Sequence, residues 1–442
     1  MDLHARLDAV LPSVRADLED LVRIPSVGAL PAHADDVRRS AEATARLLEG
    51  AGLAVEVLSV EGGAPAVLGT RPAPEGAPTV LLYAHHDVQP VGEETEWTSA
   101  PFEPTERGGR LFGRGAADDK AGIAVHLAAL RAWGDDLPVG VTVLVEGEEE
   151  EGSPTLEAFL ETYRDRLAAD VIVIADSTNW EVGVPALTTS LRGLAGCDIE
   201  VSTLEHGVHS GMFGGPVPDA LTTLCRLLAT LHDEAGEVAV EGLHAGPASD
   251  LDYPEDRFRA EASALEGVEL IGSGSIVERL WTRPTVNVIG IDAPSVAECS
   301  NTLVPRARAA ISLRVAPGQD AKEALGRLLD HLERHVPWGA RLEVLATDTG
   351  SPTAIDATGP AYDAAREAFA EAWDGTEPVD IGVGGSIPFI AAFREAFPEA
   401  SVLVTGVEDP DTRAHSTDEG LHLGEFRRAC LAETLLLRNL TR

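Results

Sequence analysis

Short apolar runs that stop abruptly at polar or acidic residues constrain this chain more than any other feature. Pro78 to Ala84, Val141 to Val145, Val171 to Ala175 and Val402 to Thr405 have the length and unbroken hydrophobicity of strands buried on both faces. Between them run helical patterns. Ala121 to Trp133 has an apolar face at Ile123, Leu127 and Leu130, and Tyr362 to Trp373 is rich in Ala and Glu. Strands alternating with helices predict an α/β sheet covered by helices on both faces.

At 442 residues the chain exceeds one ordinary domain. After Asp176 its character changes. Gly193 to Ser202, Pro218 to Leu231, Thr285 to Ile291, Leu303 to Val315, Ala321 to His335 and Arg341 to Ala346 read as strand, helix, strand, strand, helix, strand. That order resembles the ferredoxin-like α/β sandwich. The polar, Gly-rich stretch Glu241 to Glu278 is placed as a long excursion within this unit. With no linker in sight, the second domain is expected to be inserted into the first, giving 1–187 and 351–442 as the outer domain and 188–350 as the insert.

A formal charge of −39 opposes nucleic-acid binding, which needs clustered Lys or Arg. No stretch approaches the ~20 apolar residues of a membrane span. The N-terminal segment alternates acidic, basic and apolar residues at helical spacing and reads as a surface helix rather than a signal peptide. Cys197, Cys225, Cys299 and Cys430 form no CxxC pair, which fits a reducing cytoplasm. With no GxSxG elbow and no base pattern around the cysteines, a serine or cysteine hydrolase is disfavoured.

In open α/β sheets, ligands gather beyond the carboxyl ends of the strands. Here those ends carry Ala84-His85-His86-Asp87, Glu148-Glu149-Glu150-Glu151, Asp176 and a loop holding His415, while Gly113 to Lys120 adds Asp118-Asp119. Two His and three carboxylates suit zinc, manganese or cobalt, and one carboxylate can bridge two ions ~3.5 to 4 Å apart. Taken singly, each fragment has a bland reading: a core histidine, a solvated acidic loop, an Asp that ends a strand.

Taken together, YAHHDVQP, LFGRGAADDKAG, LVEGEEEEGS, IADS, VHSGMFGG, GGSIP and AHSTDE resemble, in order, the motifs of the M20 metallopeptidases, particularly the dipeptidase branch that includes carnosinases. The resemblance implies a zinc-peptidase-like mixed sheet flanked by helices, with an inserted ferredoxin-like lid and dimerisation domain. It implies two divalent metal ions per subunit, zinc foremost with manganese or cobalt as alternatives. His85 and Asp176 would hold one ion, Glu150 and His415 the other, and Asp118 would bridge them. Glu149 would be the general base for a metal-bridged hydroxide, and Asp87 would orient His85. His86 is left out of the set. The Asp118-Asp119 bond resembles the site of a cis peptide.

In Ile311 to Val315 the alternation turns Arg314 away from the buried face, free to meet a ligand. The resemblance makes Arg314 the grip on the substrate's terminal carboxylate, with Thr302, Gly385 and Ser386 also at substrate-contacting positions. It makes His209 a residue that reaches a partner subunit's active site, implying a homodimer. The expected activity is hydrolysis of dipeptides. An N-acyl- or N-succinyl-amino-acid deacylase is the alternative, and a metal-dependent binding protein without catalysis is a remoter one, since the base is present.

Overall fold

The computed structural model describes residues 2–247, 249, 251–385 and 388–442. It forms two compact units, the first from 1–189, 355–381 and 388–442, the second from 190–354 with 382–385 of the described residues. The return of the Gly382 segment to the second unit is marked by no sequence pattern.

The first unit is a mixed sheet. Thr79–His85 lies between Gly140–Glu146 and Val171–Ile174, parallel to both, and Ser401–Val404 runs parallel to Val171–Ile174. Ala66–Arg71 and Ala54–Leu58 extend the sheet antiparallel. The expected apolar runs thus become strands, with ends shifted by about one residue. Val80, Leu82 and Ala84 belong to a core shared with the helices Leu3–Val22, Lys120–Trp133 and Leu423–Asn439. From the other face Tyr83 stacks on Phe389, ring centroids 3.9 Å apart. Burial on both faces explains why these strands lack the alternation of a half-exposed strand.

Lys120–Trp133 differs from the expectation of one apolar face: every residue except Arg131 is buried. The helix is packed between Leu3–Val22 and Leu423–Asn439, so its polar members need internal partners. Lys120 donates to the carbonyls of Leu21 and Ile24, and His126 lies between Glu433 and the Tyr83 carbonyl.

In the second unit, the strands Gly193–Ser202, Thr285–Asp292, Arg306–Val315 and Arg341–Gly350 form an antiparallel sheet in the spatial order second, third, first, fourth. Ala220–Leu228 and Ala321–His335 bring Leu224, Leu227, Leu328 and Leu332 into a core with Ile199, Ile311 and Leu313. The expected run Leu303 to Val315 is interrupted, because Pro305 cannot donate to a ladder; Thr302–Leu303 pairs elsewhere, and the long strand begins at Arg306. The Glu241 to Glu278 stretch contributes the short helix Glu255–Glu261.

Candidate metal centre

His85, the last residue of its strand, is fully buried. Its Nδ1 donates to the Asp87 carbonyl at 3.1 Å and lies 3.4 Å from the Asp87 carboxylate. That contact fixes the ring and aims Nε2 at Asp118 Oδ1 (3.1 Å), Asp176 Oδ1 (3.9 Å) and Glu149 Oε2 (4.0 Å). Asp118 Oδ2 meets His415 Nε2 at 3.0 Å, and the same nitrogen is 3.2 Å from Glu150 Oε2. His415 adopts φ 61°, a left-handed conformation costly for a non-glycine residue. The Asp118-Asp119 peptide is cis.

The loop after Glu146 divides its four glutamates by what each touches. Glu148 accepts from Thr155 N, Thr155 Oγ1 and Ala64 N, and so braces the loop. Glu150 is held by Gln89, whose backbone N–H and side-chain amide both donate to it. Glu149 turns toward His85, and Glu151 is exposed. The buried Asp87 carboxylate accepts from the backbone of both Glu149 and Glu150, coupling this loop to the His85 strand.

Three carboxylates with no side-chain role assigned from the sequence support the site. Asp119 caps the helix at Gly122 N and accepts from His85 N. Glu419, fully buried, pairs with Arg114 at 2.7 Å and accepts from the N–H groups of Gly115, Ala117 and Asp118. Glu433 holds His126. The AHSTDE motif contains Glu419, and a carboxylate at its end was the available signal; nothing local marks Glu433.

Packing this many carboxylates together shifts their protonation. Burial pushes Glu149 up to about 8, His85 opposing and the charges of Glu150 and Asp118 adding to the rise. Burial also raises Asp119 and Asp176 well above the usual carboxylate range. Asp118 is buried too, yet hydrogen bonds from His415 and His85 hold it below that range. For His85, burial favours the neutral ring, but hydrogen bonding to Asp118 and Asp87 raises it well above its ordinary value. Hydrogen bonds to Asp118 and Glu150 push His415 up to about 10.

The ion-free chain therefore keeps protons where negative charge is crowded, which is where a cation would bind and displace them. Ligand atoms of His85, Asp118 and Asp176 lie within 4.8 Å of one another, as do those of Asp118, Glu150 and His415. Imidazole nitrogens and carboxylate oxygens in two groups sharing Asp118 fit a pair of borderline divalent cations.

The remaining expected residues belong to the second unit. His209 lies opposite Thr302 in a two-residue ladder, exposed, with Nδ1 accepting from Gly211 N. Arg314 lies opposite Thr285, half-buried. Among the described residues nothing stands within 4 Å of where a Cβ on Gly385 would lie, and Ser386 lies outside them.

A profile of Peptidase family M20/M25/M40 matches residues 81–439. The chain is 36% identical over 429 residues to cysteinylglycine-S-conjugate dipeptidase of Corynebacterium striatum, covering 95% of this chain and 94% of that protein. It is 30% identical to the human Beta-Ala-His dipeptidase, covering 78% of this chain and 71% of that one. The crystal structure of human carnosine dipeptidase 1 superposes with a TM-score of 0.84 at 25% identity, covering 99% of this chain and 98% of that one.

Proposed function

The chain belongs to peptidase family M20/M25/M40 and is a metal-dependent dipeptidase; from that premise we propose how its own residues divide the work. Two divalent ions bind, zinc foremost with manganese or cobalt as substitutes. His85 and Asp176 would hold one, Glu150 and His415 the other, and Asp118 would contribute to both. The observation that carries this reading is the Asp118 carboxylate, whose two oxygens face two different histidines at 3.1 and 3.0 Å. Such ions, when bound, polarise a peptide carbonyl and lower the pKa of water toward ~7.

Glu149 is the general base and then the general acid. Its carboxylate has no hydrogen-bond partner among the described residues and lies 4.0 Å from His85 Nε2, so it is free to take a proton from the attacking water and return it to the leaving amine. Asp87 sets the His85 ring and holds the backbone on both sides of the Glu149-Glu150 bond, keeping base and ligand in register.

The inserted unit acts as a lid and dimerisation domain over a dipeptide. Arg314 grips the terminal carboxylate, while Thr302, Gly385 and Ser386 contact the substrate. In support, Arg314 makes no ion pair among the described residues, and a guanidinium fork matches a carboxylate. His209 reaches the active site of a second copy and polarises the scissile carbonyl. Its position beside exposed Met212 and Phe213 supports a homodimer that covers them. Four free cysteines support a reducing, cytoplasmic setting, and no helix among the described residues is long and apolar enough to cross a membrane.

The test is hydrolysis of cysteinylglycine conjugates, carnosine, other dipeptides and N-acyl amino acids by metal-stripped protein with zinc or manganese added back. Dipeptide cleavage restored by metal supports the reading. Cleavage of acyl amino acids alone would overturn it in favour of a deacylase.

A further inference from the structure

A cavity of about 460 Å³ lies wholly within the inserted unit, and no member of the carboxylate and histidine cluster lines it. Its size falls in the range that small-molecule sites occupy, roughly 300 to 1,000 Å³. Val286 and Ile276 are buried in its wall, Leu280 and Phe258 are half-buried, and Ile271 stands 64% exposed.

Three guanidiniums break this apolar lining, those of Arg192, Arg279 and Arg283, against one lining carboxylate, Glu237. In a chain of formal charge −39 that is a local reversal of sign. Glu237 is already engaged, 3.6 Å from Arg283 and accepting from Ser273 N. Arg279 donates to the carbonyls of Ile271 and Ser275.

Arg192 is the most buried of the three, only 7% exposed. Nη1 reaches Thr285 Oγ1 at 3.0 Å and the carbonyls of Arg279 and Arg283 at 3.4 Å, and Nε reaches the Gly384 carbonyl at 3.3 Å. Every acceptor is neutral. Nη2 has no hydrogen-bond partner and no carboxylate lies within ion-pair distance of Arg192 among the described residues. A buried cation without a counter-ion is expensive, and here burial and the nearby Arg314 charge pull the Arg192 pKa down to about 10. Arg314 stands across the ladder from Thr285, so a second guanidinium without an ion pair adjoins the first.

We propose that this cavity binds a small carboxylate carried on an apolar body, its oxygens taken by Arg192 and its body packed against Val286, Ile276 and Leu280. The geometry suits a charge-assisted bond inside a desolvated wall, the setting in which a guanidinium discriminates most strongly between an acid and its neutral isostere. Arg314 takes the substrate's terminal carboxylate in the reading proposed above, so the ligand at Arg192 is a separate small acid.

The experiment is calorimetric titration of the metal-loaded enzyme with 3-phenylpropionate, 3-phenylpropan-1-ol and 3-phenylpropylamine. The acid is expected to bind at least about tenfold more tightly than the alcohol or the amine. Arg192→Gln and Ile271→Glu should each weaken the acid by a similar factor, while Glu149→Gln leaves it unchanged. Ile271 is exposed, so that variant carries the test if Arg192→Gln does not fold. Unchanged KM for dipeptides with acid bound supports a separate site, whereas competition with dipeptide hydrolysis would place the acid on the substrate's own carboxylate grip and overturn the proposal. Equal binding of acid and alcohol, no binding of acid, indifference to both cavity variants, or loss of binding in Glu149→Gln overturns it.

Discussion

The first unit's carboxylate and histidine cluster and the second unit's His209, Thr302 and Arg314 are built to opposite specifications. In the cluster the groups that orient the ligands are held by their neighbours: Asp87 binds two backbone N–H groups and a histidine, and Glu419 binds three N–H groups and Arg114. In the second unit the His209 side chain hydrogen-bonds only to its own loop, and Arg314 forms no ion pair, among the described residues. A buried group must find its partners within the fold, whereas an exposed one can leave them to a substrate or a second copy. The first arrangement sets chemistry before substrate arrives; the second is completed by binding.

The sharpest way to break the comparison is Glu149→Gln. The amide keeps the shape of the side chain but cannot accept the water's proton, so turnover should fall about 10² to 10⁴-fold with metal content unchanged. Elemental analysis beside steady-state kinetics checks both halves. Retained turnover would remove Glu149 from the chemistry.

Next in size is His209→Ala, expected to lower kcat about 10² to 10³-fold without loss of metal. If the residue serves a second copy, mixing this variant with Glu149→Gln should regain activity, because a mixed dimer contains one site with both groups. Absence of regain would confine His209 to its own subunit or to a structural role.

A smaller effect is expected from the partners that touch ligands without binding metal. Asp87→Asn and Glu419→Gln should each weaken metal affinity about 10 to 100-fold, the usual result of loosening groups that orient ligands. Equilibrium competition with a chelator measures this. Unaltered affinity in both would show that the hydrogen-bonded scaffold is redundant.

The same contrast decides how much was legible in the sequence. Strand ends were legible because the apolar run stops where side chains meet polar residues, which placed His85, Asp176 and the glutamate run on neighbouring strand termini. Choosing Glu149 and Glu150 from that run needed the motif, since Glu148 and Glu151 have the same chemistry and differ only in what the fold brings to them. Glu433 and His126 stayed hidden because their pairing spans 307 positions and arises from packing between helices. The break at Pro305 was legible in principle, since a residue without an N–H cannot sit inside a central ladder. In the second unit the chain order of strands and helices was legible, but the cavity at Arg192 depends on Gly384 and on the turn at Glu278–Thr282, which sequence periodicity does not bring together.

The gentlest test is pH. In the ion-free chain, hydrogen bonds to Asp118 and Glu150 raise His415 to about 10, so between its ordinary value near 6.5 and about 10 the folded ring is protonated. A metal ion needs the neutral nitrogen and must displace that proton, so affinity should rise with pH through this window, by about tenfold per pH unit for each proton released. Glu149, raised to about 8, adds a proton that leaves more readily once positive charge sits beside it. An exposed ligand set with ordinary pKa values would differ in where the rise ends, its affinity levelling off above about pH 7. Calorimetry in buffers of different ionisation enthalpy counts the released protons directly. A count near zero at pH 7.5 would mean that the histidines are already neutral there, and that the hydrogen bonds joining them to Asp118 do not hold protons in the ion-free enzyme.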